Sequence, residues 1–215
     1  MGDGVLITIE GIDGCGKSTQ AALLCEALVA RGLPVGPAGA PGTVLREPGG
    51  TPAGEAVRDI LLHGPDSLAP WTETMLYAAA RAELVARVLR PGLAAGRVLV
   101  LDRYIDSSLA YQGYARGLGI DAVLAVNAPA VGDAMPALTV VLAVAPATGL
   151  GRATGVRDRI EREGIALQRR VADGFAELAR RFPQRIRLVD GERPVAAVAA
   201  DVTALVAPLV EGRGV

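Results

Sequence analysis

The chain has 215 residues, 51% of them hydrophobic and 3% aromatic, with 22 basic side chains against 23 acidic ones. That length can bury a sizeable core as one domain, and the apolar content excludes long disordered stretches. A net charge of −1 gives no field for tracking a phosphate backbone, which argues against a nucleic-acid polymer as partner, and no apolar run reaches the ~20 residues of a membrane span.

The first predicted strand, Val5–Glu10, runs directly into Gly11-Ile12-Asp13-Gly14-Cys15-Gly16-Lys17-Ser18 and then into a helix over Lys17–Arg31, closed by Gly32. These eight residues fit G-x-x-x-x-G-K-[ST] in the required strand–loop–helix setting. The glycines let backbone N–H groups curl around phosphate oxygens, and the helix N-terminus adds partial positive charge. Lys17 can reach the outer phosphates and the Ser18 hydroxyl can ligate Mg²⁺. Residues Gly11 to Thr19 are therefore a candidate nucleoside triphosphate site. A Gly-rich turn into a helix is the plainer alternative. Against it stands the composition: 21 of the 22 basic residues are arginine, and the single lysine is the one that completes the motif. Cys15 reads as a packing residue. With Cys25 it is too little for a zinc cluster, and two free thiols suit a reducing compartment. The N-terminus shows no basic leader, so a cytoplasmic location is expected.

Next comes a strand over Val35–Arg46, interrupted by Pro41-Gly42, and helices over Pro52–Leu62 and Trp71–Arg90. His63 closes the first of these helices and is assigned no chemistry. The strand Arg97–Asp102 ends in a carboxylate that suits Mg²⁺ through Ser18 or a water, although an aspartate after a strand is also a common turn residue. A helix over Ile120–Val126, a strand over Leu138–Val144, a helix over Ile160–Phe182, a strand over Ile186–Val189 and a helix over Val195–Val210 complete the order. The alternation predicts an α/β fold of P-loop NTPase type. About five parallel strands lie between helical layers, in one domain spanning residues 1–215. The Arg- and Gly-rich stretch 149–164 follows a strand, at the sheet end where ligands bind. Arg46 and Arg103 also fall at strand ends, and their rigid forks suit a monophosphate held in line with a γ-phosphate. Arg81 lies one helical turn beyond Tyr77, on the same face. A guanine-reading N-K-x-D segment cannot be built without a second lysine, which argues against a GTP switch.

Four further segments carry a family resemblance: Arg46-Glu47-Pro48-Gly49-Gly50-Thr51, Tyr77 to Arg81, Asp102-Arg103-Tyr104, and Ser107 to Gly113. With the phosphate loop they resemble, in order and spacing, the signatures of thymidylate kinases, and Asp158-Arg159-Ile160-Glu161 resembles the end of that family's lid. The resemblance implies phosphoryl transfer from ATP to dTMP with Mg²⁺, by a homodimer. It implies that Tyr77 stacks on thymine and Arg81 bonds a base carbonyl; without it, Tyr77 would be read as a core residue. It further implies that Pro48, Ser107, Ser108, Tyr111 and Gln112 line the acceptor site, Tyr111 crowding a 2′-hydroxyl. Ser107 could equally cap a helix. Asp13 inside the loop, with arginines in a short lid over about 149–164, matches the bacterial-type arrangement. Arg157 or Arg159 is then expected at the transferred phosphoryl and Arg152 against adenine. Aromatic residues common after the lid are replaced by Leu167 and Gln168. The alternatives are a P-loop kinase for another monophosphate and a non-catalytic nucleotide-binding module.

Overall fold

Apolar runs covered on both faces form the centre of the computed structural model, which describes residues 4–152 and 158–211. Strand β1 (Val5–Glu10) is buried along its whole length. It pairs in parallel with β3 (Val98–Asp102) on one side and β4 (Leu138–Ala143) on the other. Beyond β3 lies β2 (Leu45–Arg46), and beyond β4 lies β5 (Ile186–Asp190), giving the order β2-β3-β1-β4-β5, all parallel. Chain order reverses at β1, so a crevice opens at its carboxyl end. The register sets Ile9 beside Asp102, which brings the phosphate loop next to that aspartate.

Helix α1 (Lys17–Ala30) starts at the loop lysine. Helices α2 (Pro52–His63) and α3 (Pro70–Leu84) follow; α3 passes through a π-helical segment, Val85–Leu89, into α4 (Arg90–Ala94). Pro91, which has no N–H to give the helical ladder, falls just after that π-helical segment. Helix α5 (Ile105–Ser108) continues as a π-helical segment over Leu109–Ala115. Then come α6 (Ile120–Val131), α7 (Pro146–Arg152), a 3₁₀ turn at Glu161–Glu163, α8 (Gly164–Arg181) and α9 (Val195–Val210). In α9 every fourth residue, Val198, Val202, Val206 and Val210, is buried, the spacing of one helical face.

The expected strand Val35–Arg46 is corrected to its last two residues plus an isolated bridge from Val35 to Val98. Pro37 and Pro41 have no N–H to give a sheet ladder, so the segment loops between the two pairings. Helices α5 and α7 were not among the expected elements. The first is fixed by tertiary contacts. Asp106, fully buried, accepts two hydrogen bonds from Arg185, at 2.6 and 2.7 Å, and a third from Thr139 at 2.7 Å. Thr139 in turn accepts from Thr8 at 2.9 Å, so α5 is fastened to β1 and β4 through one polar chain.

Candidate active site

The loop between β1 and α1 is wound tightly. Lys17 is buried, its Nζ donating to the Ile12 carbonyl at 2.8 Å, inside the turn it closes. Gly14 has φ 72°, and a Cβ there would sit 2.0 Å from the Gly149 carbonyl oxygen; the phosphate loop thus packs backbone to backbone against α7. Ser18 Oγ donates to Asp102 Oδ2 at 2.5 Å, so the two expected metal ligands meet at the mouth of the loop.

A cavity of about 360 Å³ opens from Asp13, Gly14, Lys17 and Ser18. Its far wall is Tyr77, Arg81, Ser108 and Gln112, and Arg46, Pro48, Asp102, Arg103, Ser107 and Tyr111 also line it. Every acceptor-side residue expected from the sequence is thus brought to one space. Arg103 is the pivot. It takes the left-handed backbone with φ 68°, rare for a side chain with a Cβ, and this turns the guanidinium back over the phosphate loop. Nη1 donates to the Gly11 carbonyl at 3.2 Å and to Ser107 Oγ at 3.0 Å, while Nη2 pairs with Asp13 Oδ1 and reaches the Tyr111 hydroxyl at 3.3 Å. Burial alone would raise the Asp13 carboxyl, but Arg103 and then Lys17 outweigh it and hold the group below the usual carboxylate range.

Ser107 is corrected from a possible helix cap to a residue inside α5. Tyr104 precedes that helix, and the cap is supplied from β1: Glu10 Oε1 accepts the backbone N–H of Tyr104 at 2.7 Å and of Ser107 at 3.2 Å. Ser107 Oγ donates to Glu10 Oε2 at 2.5 Å. Burial, reinforced by the nearby Asp106, raises the Glu10 carboxyl to about 8.

Arg81 lies at the back of the cavity, 1% exposed. Its Nε donates to Glu47 at 3.1 Å and Nη2 to Ser108 Oγ at 3.0 Å, and Nη1 bonds Asn127. Burial raises the Glu47 carboxyl to about 7, with Arg81 opposing. Arg46 is exposed and pairs with Glu55 at 3.0 Å.

On the other side of the loop a cleft of about 620 Å³ is lined by Gly14 to Gln20, Arg152, Gly191 and Arg193. Arg152 donates to the Gly191 carbonyl at 3.2 Å. Arg157 lies outside the described residues. Arg159 is corrected: it is absent from both spaces and is buried, its Nε donating to the Leu61 carbonyl at 2.8 Å and its Nη2 to Glu73 at 2.6 Å. A carboxylate on α3 draws this guanidinium inward, away from the phosphate loop.

Three contributors were missed in the sequence. Gln168 grips Asp13 at two points, Oε1 accepting its backbone N–H at 3.2 Å and Nε2 donating to Oδ2 at 2.6 Å. An amide on the buried face of α8 was the available signal. Arg58 lines the cavity and donates to the Pro48 carbonyl at 2.9 Å, and Arg193 lines the second cleft. Neither stands out among so many arginines.

The family model for thymidylate kinase matches residues 9–202. A thymidylate kinase of Caldanaerobacter subterraneus subsp. tengcongensis is 42% identical over 97% of this chain and 98% of that protein. One of Deinococcus radiodurans is 44% identical over 96% and 98%. The crystal structure of thymidylate kinase from Ehrlichia chaffeensis superposes with a TM-score of 0.74 at 28% identity, covering 96% of this chain and 99% of that one.

Proposed function

The chain belongs to the thymidylate kinase family and phosphorylates dTMP to dTDP with ATP, and on that premise we propose how its two spaces divide the work. The cavity between the phosphate loop and α3 takes dTMP, and the cleft on the far side of the loop takes the adenosine end of ATP. The observation that carries this reading is the single cavity joining Lys17 and Ser18 to Tyr77, Arg81 and Gln112: a donor phosphate and an acceptor base can both be reached from it.

Phosphoryl transfer asks a protein for positioning and charge stabilisation, with no protein nucleophile. Lys17 offsets charge on the outer phosphates of ATP. Arg103, oriented by Asp13 and Ser107, holds the acceptor phosphate, and Arg46 stands at the same cavity. Tyr77 offers its ring to the base and Tyr111, at the Arg103–Asp13 pair, faces the sugar. Ser18 and Asp102 are two hard oxygen donors in contact beside the loop, a set that fits Mg²⁺. When bound, the ion supplies neutralising charge to the ATP phosphates. Arg157 is assigned to the transferred phosphoryl and Arg152 to adenine, with the 149–164 segment closing over the site to exclude water.

A homodimer in the cytoplasm completes the proposal. Trp71 and Met75, 39% and 57% exposed on α3, support an interface on that helix. No helix among the described residues is long and apolar enough to cross a membrane. A coupled ADP-release assay across dTMP, dUMP, CMP, AMP and GMP tests the reading: turnover should be greatest with dTMP, and preference for a purine monophosphate would overturn it.

A further inference from the structure

Behind the acceptor cavity, outside its lining, lies a carboxylate with three partners. Glu73 is fully buried on α3, two turns before Arg81. It accepts from Arg116 Nε at 2.6 Å, from Arg159 Nη2 at 2.6 Å and from Gln112 Nε2 at 2.8 Å. Burial alone would protonate it, but the bonds and charge of Arg116 prevail and hold it below the usual carboxylate range. An ionised carboxylate can only accept, so the Gln112 amide can present only its nitrogen to Glu73. The amide is planar, and fixing its nitrogen against the back wall leaves Oε1 as the atom offered to the cavity that Gln112 lines. Among the described residues, Oε1 takes part in no hydrogen bond.

From this arrangement, the geometry points to Glu73 as a specificity-determining positioning residue: it locks the Gln112 amide so that the acceptor site shows a hydrogen-bond acceptor to the base. The inference rests on the acceptor cavity taking a nucleoside monophosphate. A base with a ring N–H at that edge, as in thymine, satisfies Oε1. Cytosine presents a lone pair at the same ring position, so two hydrogen-bond acceptors would face each other there. A free amide could rotate and offer its NH₂ instead, erasing the distinction. The preference is thus set by a residue outside the cavity wall, and the same carboxylate holds Arg159 at the end of the 149–164 segment.

The test is the ratio of kcat/KM for dTMP to that for dCMP, in the full-length wild type, Glu73→Gln, Gln112→Leu and the double variant, with melting curves for each. A glutamine at 73 can accept or donate, so the amide at 112 is no longer locked. The expected result is a fall in the ratio of about tenfold or more in Glu73→Gln, carried mainly by KM for dTMP, and no further fall when Glu73→Gln is added to Gln112→Leu. Should Glu73→Gln fail to fold, Glu73→Asp keeps the charge while drawing the carboxylate back from Gln112 and both arginines, and a fall in the ratio is again expected. An unchanged ratio with lowered kcat would make Glu73 a purely structural anchor and overturn the inference, as would an equal fall in the Gln112→Leu background. A wild type that itself preferred dCMP would instead overturn the assignment of the cavity to dTMP.

Discussion

Arg159→Met separates a structural arginine from a catalytic one. The side chain is 4% exposed and makes one charge-assisted bond to Glu73 and one to the Leu61 carbonyl, both buried. Methionine keeps much of the apolar stem and removes both bonds. Breaking one side of a buried ion pair costs about 3–5 kcal/mol, and the lower end applies because Arg116 and Gln112 still satisfy Glu73. For a chain of this size each kcal/mol shifts Tm by about 2–4 °C, so a fall of about 6–12 °C is expected. Turnover measured well below the new melting point should change by less than about tenfold. An arginine at the transferred phosphoryl would give the opposite pattern, with kcat lower by about 100-fold or more and the melting curve unmoved. That second pattern would refute the buried-anchor assignment.

Lys17→Arg should lower kcat by about 100-fold or more with an unaltered melting curve, because a planar guanidinium cannot take the ammonium's place against the Ile12 carbonyl; near-normal kcat would show that charge alone suffices there. Gly149→Val places a Cβ 2.5 Å from the Asp13 carbonyl oxygen and should weaken ATP binding, read by titration calorimetry, whereas Gly151→Ala, with nothing nearby, should leave it alone. Glu10 gives a pH signature. Its folded-state carboxyl titrates near 8 against an ordinary 4.5, so between those values the native state holds a proton that the unfolded chain has released. The contribution of this group to stability therefore falls as pH rises through that window, by at most about 1.4 kcal/mol per unit. Urea unfolding across the window should show a shallower decline for Glu10→Gln; an identical slope would mean that Glu10 is ionised throughout.

The phosphate loop was legible because its chemistry is local: strand, glycines, lysine and helix are contiguous. The strand ends were legible for a similar reason, since an apolar run closed by Asp102-Arg103 states where the sheet stops. What escaped depends on partners remote in sequence. Arg157 or Arg159 was expected at the transferred phosphoryl because Asp158 to Glu161 resembles the end of the family's lid, while Glu73, 86 residues from Arg159, gives no sign that it will claim that charge. Helix α5 escaped because a four-residue helix has no periodicity of its own, and Asp106 and Ser107 are held in it by Arg185, Thr139 and Glu10, all remote in sequence. Glu10 itself read as the polar end of a strand, and only the return of β3 beside β1 shows it as the cap of a helix almost a hundred residues later.

The two moorings of the 149–164 segment have a joint consequence. At its near end, the backbone of Gly149 lies directly against that of the phosphate loop at Asp13 and Gly14. At its far end, Arg159 hangs from the carboxylate that also steadies Gln112 in the opposite wall. A change at Glu73 therefore reaches both Gln112 in the cavity wall and the chain that continues from Asp158.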